Sequence, residues 1–322
     1  MSERPKIAVS ACLVGQKVRH NGDDAEFRVI SREWSNYLEI MPICPEIGIG
    51  LSVPRPKIRL VKTAGKLSLV NPDNGEEFTN KMLEYAEIQS DLLSLAGISG
   101  FVFKKESASC GLDRVNVYHD DNPTPSQDGR GMFAMVFTSL NPHIPVIDEG
   151  RLCDPRQAEH FLARVHFFNE WRKSGENGWS ASKIMRFHNE NKLFLLSRAP
   201  PMKRLLGRLI ATRFDEGAHP ENVALEYITE AQKGLVTLTK DGRIAHTMER
   251  VFGKFSKKLS KAEKQEVVEL IHGFRQGILP RSAPLVVLNE YLTRYNLDDK
   301  ILNRFITSVP LEMNQLPMFR QN

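Results

Sequence analysis

The chain has 322 residues, is 41% hydrophobic and 26% charged, and contains four cysteines. That length is long for one domain and comfortable for two, and the composition is that of an ordinary globular protein. No apolar run approaches the ~20 residues of a membrane helix, the charged start does not read as a signal peptide, and so few cysteines in so long a chain argue against a disulfide scaffold. A reducing cytoplasm and no membrane contact are therefore expected. The net charge of +5 is uneven. Residues 1–160 hold 18 Lys+Arg against 22 Asp+Glu, a net of −4, and the remainder carries +9. A basic second half is compatible with RNA or another anionic partner, although most such cations simply solvate helix faces.

Residues 7–9 form a short buried strand, 29–38 a helix and 40–43 a second strand. Segments 58–61 and 67–70 flank a turn at Gly65 and read as a hairpin. Phe78, Met82, Tyr85, Leu92 and Leu93 lie on one helical stripe that Gly97 would cap. Residues 101–103 and 132–137 are read as a third and a fourth strand. Alternation of apolar strands with helices predicts an α/β fold: a mainly parallel N-terminal sheet with helices on its faces, followed by an all-α C-terminal domain. The pattern changes near residue 150. Asp154-Pro155 starts a helix, and 173–182 reads as a linker or long turn. Helices are then expected over 183–197, 202–214, 220–233, 241–258 and 261–276, the last opened by a capping box of Ser260 and Glu263. The expected organisation is a domain over 1–150, a connecting helix and linker over 151–182, and a helical domain over 183–322. The segment 310–322 is either disordered or docked.

Three cysteines arrive in one place. Cys12 follows the first strand, Cys44 the second, and Cys110 the third after a polar turn. In a parallel sheet those strand ends share the edge at which open α/β folds bind ligands. A lone buried thiol is usually a small core residue, but three after three strands read as a site. Soft sulfur donors favour zinc or an iron–sulfur cluster. A structural zinc site closes with a fourth protein ligand, and a cube held by three cysteines leaves one iron open. Cys153, just before a helix start, could complete a four-cysteine site, but a surface or packing role suits its position better. Arg55, Arg59, Lys104, Lys105 and Arg114 stand near the cysteines in sequence and could grip a nucleotide phosphate or form ion pairs.

The motifs Ser-Ala-Cys-Leu-Val-Gly, Arg-His-Asn-Gly, Cys-Pro-Glu-Ile-Gly-Ile-Gly and Lys-Lys-Glu-Ser-Ala-Ser-Cys-Gly resemble, in this order, those of the thiouracil desulfidase (TudS-like) family over about residues 5–150. The resemblance implies a cytoplasmic enzyme with a 4Fe-4S cluster on Cys12, Cys44 and Cys110 that removes sulfur from a thiouracil or thiouridine compound and releases sulfide. It implies Glu46 as the catalytic carboxylate, taking a proton from the attacking water, with an assisting serine, Ser107 in preference to Ser109. The open iron would act as a Lewis acid on the thiocarbonyl sulfur without net redox change. His20-Asn21 stands where an aromatic residue and Asp are usual, and Ala108 where Pro is usual. From about residue 190 the chain is similar to the YbgA-type helical domain of unknown function, with additional residues in Gln-Gly-Ile-Leu-Pro-Arg-Ser-Ala-Pro-Leu. The competing expectation is a zinc- or cluster-bearing regulatory or nucleic-acid-binding protein without catalysis.

Overall fold

The structure, a computed structural model, describes residues 4–119, 122–297 and 299–319. The chain divides after Asp154 into two compact units. Among the described residues no helix is long and apolar enough to cross a membrane.

The first unit is α/β. Its strands are β1 (Lys6–Ser10), β2 (Glu39–Ile43), β3 (Arg59–Thr63), β4 (Lys66–Val70), β5 (Phe101–Phe103), β6 (Val115–His119), β7 (Asn122–Gly129) and β8 (Val146–Asp148). Its helices are α1 (Pro45–Gly48), α2 (Thr79–Leu95), α3 (Met132–Leu140) and α4 (Glu149–Leu152). The strands form two four-stranded sheets. In the first, ordered β2-β1-β5-β8, every pairing is parallel. The apolar residues of β1 and β5 are fully buried, as expected of strands covered on both faces. The second sheet, β4-β3-β6-β7, pairs β3 with β6 in parallel and its outer strands antiparallel. The hairpin β3–β4 turns through Ala64 and Gly65, both at positive φ (48° and 83°), the combination that lets a two-residue turn follow the twist of its strands.

Two expectations are corrected. Residues 132–137 form no strand; they open α3, and the fourth strand of the parallel sheet is β8. A short continuous apolar run carries no period that separates strand from buried helix. What decides it is packing: Phe133 and Phe137, one helical turn apart, lie 6.0 and 5.1 Å from the Phe101 ring on β5. Residues 29–38 are helical but not one α-helix. A π-helical turn over Val29–Glu33 runs into a 3-10 turn over Trp34–Asn36, and together they bury Ile30 and Trp34 completely.

The second unit is all helical: α5 (Pro155–Gly175), α6 (Ala181–Glu190), α7 (Lys192–Arg198), α8 (Pro200–Asp215), α9 (Pro220–Gly234), α10 (Asp241–Phe255), α11 (Lys261–Arg275), α12 (Ser282–Arg294), α13 (Lys300–Ile306) and α14 (Leu311–Asn314). Helix α5 belongs to this unit's core. Its Trp171 stacks on both Trp179 and Tyr227, with centroids 3.8 and 4.8 Å away. The Ser260–Glu263 capping box is formed at α11. The tail is docked as far as it is described, burying Met313 and Phe319; residues 320–322 lie outside the described residues.

Candidate functional site

Parallel pairing of β2, β1 and β5 brings their C-terminal ends to one edge, and each is followed by a cysteine. Cys12 lies in a 3-10 turn over Ala11–Val14 directly after β1. Cys44 is the N-cap of α1, whose first residue is Pro45. Proline suits that position because its missing N–H would have had no helical partner. Cys110 lies in the loop after β5. That loop passes through Glu106 and Arg114 at positive φ (58° and 52°), a conformation that costs a non-glycine residue about 1–3 kcal/mol and marks a segment held by its surroundings.

All three thiols line one cavity of about 510 Å³, together with Glu46, Arg55, Lys104, Ser107 and Ser109. Burial raises each thiol's pKa: Cys12 to about 11, against the pull of Lys104; Cys44 by burial, opposed by the Ile47 N–H; and Cys110 by burial with help from the Glu46 charge. Without a cation these groups are neutral, and a metal taken up here would displace protons. Among the described residues no three His, Cys, Asp or Glu side chains are grouped closely enough to hold a single metal ion.

Glu46 sits at the centre of a hydrogen-bonded chain. Arg55 donates to its Oε2 from Nε (2.9 Å) and Nη2 (2.6 Å). The same guanidinium also donates to the carbonyls of Ser52 (3.0 Å) and Val18 (2.8 Å), and its side chain is only 4% exposed. Ser109 Oγ donates to Glu46 Oε1 at 2.8 Å. The Ser107 and Ser109 hydroxyls are 2.9 Å apart. A carboxylate can only accept, so the Ser109 proton points at Glu46 and Ser107 donates to Ser109. Ser107 Oγ in turn accepts from the Cys110 N–H at 3.1 Å. The chain therefore runs from the backbone of a cysteine through two hydroxyls to a carboxylate clamped by arginine.

Close backbone approach fixes these parts. A Cβ on Gly48 would fall 2.2 Å from the Tyr85 ring, and one on Gly131 would fall 2.6 Å from the backbone of Ser109 and Gly111. Glycine at these two positions lets α1 lie against α2 and lets the start of α3 lie against the serine segment.

Of the residues singled out from sequence, Cys12, Cys44, Cys110, Glu46, Ser107, Ser109, Arg55, Lys104 and Lys105 are brought together on the cavity. Arg55 is occupied by Glu46, and Lys104 is ion-paired with Glu149. Arg59 and Arg114 are not among the lining residues; the Arg59 guanidinium lies over the Tyr118 ring at 4.6 Å, and Arg114 is exposed. Cys153 is exposed and not among the lining residues, its thiol 3.6 Å from the Glu149 carbonyl. Sequence reading noted His20 only as a departure from the usual motif and gave no role to it, to Arg19 or to Lys57, all of which line the cavity. For Arg19-His20 the signal was present, since they open the quoted motif Arg-His-Asn-Gly; Lys57 lies between Arg55 and Arg59, two cations the sequence did single out.

Residues 7–149 match the family model described as 2-thiouracil desulfurase, and residues 192–305 match one described as a protein of unknown function, DUF1722. The uncharacterized protein YbgA of Escherichia coli (strain K12) is 26% identical over 137 residues, which span 42% of this chain and 79% of that protein. A solved structure of the 4Fe-4S-dependent thiouracil desulfidase TudS is 26% identical, covering 46% of this chain and 93% of its own, with a TM-score of 0.37. The chain thus joins a region similar to 2-thiouracil desulfurases to a helical region similar to the DUF1722 proteins.

Proposed function

We propose that the N-terminal unit removes sulfur from a thiolated pyrimidine of the thiouracil or thiouridine type, using a 4Fe-4S cluster held by Cys12, Cys44 and Cys110. The observation that carries this reading is the convergence of three thiols and the Glu46–Ser109–Ser107 chain on one cavity. It lies within the region similar to 2-thiouracil desulfurases. The donor set fits a cluster better than a lone zinc ion. A structural zinc ion closes with four protein ligands, whereas the soft donors converging here are three thiols. A cluster takes each thiolate on a different iron. When bound, it would supply a soft Lewis-acidic iron for the thiocarbonyl sulfur.

The chain's own residues supply the rest. Glu46 is the general base: its carboxylate takes a proton from the water that attacks the ring carbon. Arg55 keeps that carboxylate in one orientation. Ser109 and Ser107 form a short relay through which a proton moves along the cavity wall. Arg19 and Lys57 offer positive charge to the phosphate of a nucleotide substrate. Carbon exchanges sulfur for oxygen, and sulfide leaves without an external reductant or oxidant.

The test is anaerobic sulfide release from 2-thiouracil, a thiouridine nucleotide and thiolated RNA offered side by side. Glu46→Gln should retain the cluster spectrum and lose activity about 10²–10⁴-fold, the usual worth of a positioned acid or base. Full activity in Glu46→Gln would remove Glu46 from the chemistry. Failure of all three substrates would favour the non-catalytic reading.

A further inference from the structure

The helical unit contains a second cavity, of about 60 Å³, walled by α5, the end of α7, the start of α10 and the segment entering α12. Its wall is charged and almost dry. Glu159 and His160 on α5 are 8% and 5% exposed, and Arg198 at the end of α7 is 3% exposed. The Arg281 side chain, just before α12, is 9% exposed.

Among the described residues the charges do not balance. Arg198 Nη2 donates to Glu159 Oε1 at 2.6 Å, and Arg281 Nη1 donates to the same oxygen. Arg198 Nη1 also donates to His160 Nδ1 at 3.0 Å, so that nitrogen carries no proton, and His160 Nε2–H donates to the Leu235 carbonyl at 2.7 Å. His160 is neutral in this arrangement. Burial and the neighbouring Arg198 charge lower its pKa to about 3. Two guanidinium groups therefore share one carboxylate. Of the remaining lining charges, Arg156 pairs with Asp241 at 3.3 Å, and the Asp241 charge also reaches Arg281. Arg164, one turn further along α5, is bonded to the Gln232 amide at 3.0 Å rather than to an acid. Each terminal nitrogen of the two guanidinium groups meets Glu159, His160 or the Ser308 hydroxyl, but Nε of Arg198 and Nε of Arg281 are buried without an acceptor among the described residues.

A buried charge in excess is costly unless something of opposite sign meets it. A planar guanidinium presents a fork that matches the oxygens of phosphate or carboxylate. The space is of the right size. At roughly 10–15 Å³ per water, about 60 Å³ takes four to six non-hydrogen atoms, the size of phosphate or a short carboxylate.

We propose that this pocket binds a small oxyanion on Arg198 and Arg281, with Glu159 holding the two guanidinium groups in place and competing with the ligand for them. The site is independent of the thiol cavity, and its occupancy requires neither cluster nor desulfidation.

The test is titration calorimetry on the full chain at constant ionic strength, with chloride as the balancing anion. Inorganic phosphate and acetate are titrated separately. The expected result is one site with a dissociation constant below about 1 mM for at least one of them; which one binds assigns the class. Arg281→Gln should weaken it at least tenfold. Glu159→Gln should strengthen it, because the competing carboxylate becomes a neutral amide; a merely damaged fold would weaken it. Absence of binding by either anion up to about 20 mM overturns the proposal, as does unchanged binding in Arg281→Gln. If Arg281→Gln does not fold, Glu159→Gln decides alone, and an affinity that is unchanged or weaker overturns it.

Discussion

Replacing Arg55 by Met keeps the aliphatic bulk and removes the guanidinium. Four hydrogen bonds disappear with it: two to Glu46 and one each to the Ser52 and Val18 carbonyls. The Arg55 side chain is 4% exposed and that of Glu46 18%, so solvent replaces little of what is lost. Leaving one member of a buried ion pair behind costs about 3–5 kcal/mol; with Glu46 partly wetted, the low end applies, about 3 kcal/mol. In a unit of this size that lowers Tm by about 6–12 °C. Most of the cost is the stranded carboxylate rather than the attraction itself, which makes the prediction specific. Adding Glu46→Gln removes the stranded charge, so the double variant should be about 2 kcal/mol more stable than the sum of the two single losses. The carbonyls of Ser52 and Val18 are orphaned whenever Arg55 is absent, so they cancel in the cycle. The assay is urea unfolding of cluster-free protein labelled with 5-fluorotryptophan and followed by fluorine NMR. Trp34 reports the first unit, and Trp171 and Trp179 the second. Additivity within about 0.5 kcal/mol, the behaviour of uncoupled sites, would refute the view that Arg55 exists to hold Glu46.

Three further outcomes follow from the same contacts. Ser109→Ala, which removes the hydroxyl bonded directly to Glu46, should cost more sulfide-releasing activity than Ser107→Ala; the reverse order, measured as kcat, would break the relay. Gly131→Ala should cost about 1–3 kcal/mol by overpacking and lower iron content on reconstitution, since its Cβ would press on the backbone beside Cys110; unchanged stability would show that the serine segment yields easily. Burial lowers the pKa of His160 to about 3 and that of His166 to about 4, against ~6.5 when unfolded. Below pH ~6.5 the unfolded chain binds protons that the folded chain refuses, so stability of the helical unit falls with pH down to these values. The loss between pH 6.5 and 5 should be about 2 kcal/mol per histidine, read from urea midpoints; equal midpoints would contradict it.

The parallel sheet and the meeting of three thiols were legible because both follow from local pattern. Each of three apolar strands was followed by a cysteine, at once or after a turn, and parallel pairing does the rest. The helix at 132–140 was not legible, because a run such as Met-Phe-Ala-Met-Val-Phe satisfies either structure and only its packing on Phe101 and Phe103 decides. The second sheet was missed beyond its hairpin, since β6 and β7 carry polar sequences and register shifts. Arg55 was read as a substrate cation. Its pairing with Glu46 is a tertiary fact, set by how the chain folds back over the eight residues between them. The spacing Ser107-Ala108-Ser109 gives no sign of which hydroxyl reaches the carboxylate; only the loop conformation puts Ser109 there.

The central claim is that Cys12, Cys44 and Cys110 together hold a cluster that serves desulfidation. Iron and acid-labile sulfide analysis of anaerobically purified protein tests it most directly, with each cysteine replaced in turn by serine. The account predicts brown protein with about four iron and four sulfide per chain, lost in all three variants and retained in Cys153→Ser. Colourless protein carrying one zinc per chain, or a cluster that survives removal of any of the three thiols, would contradict it.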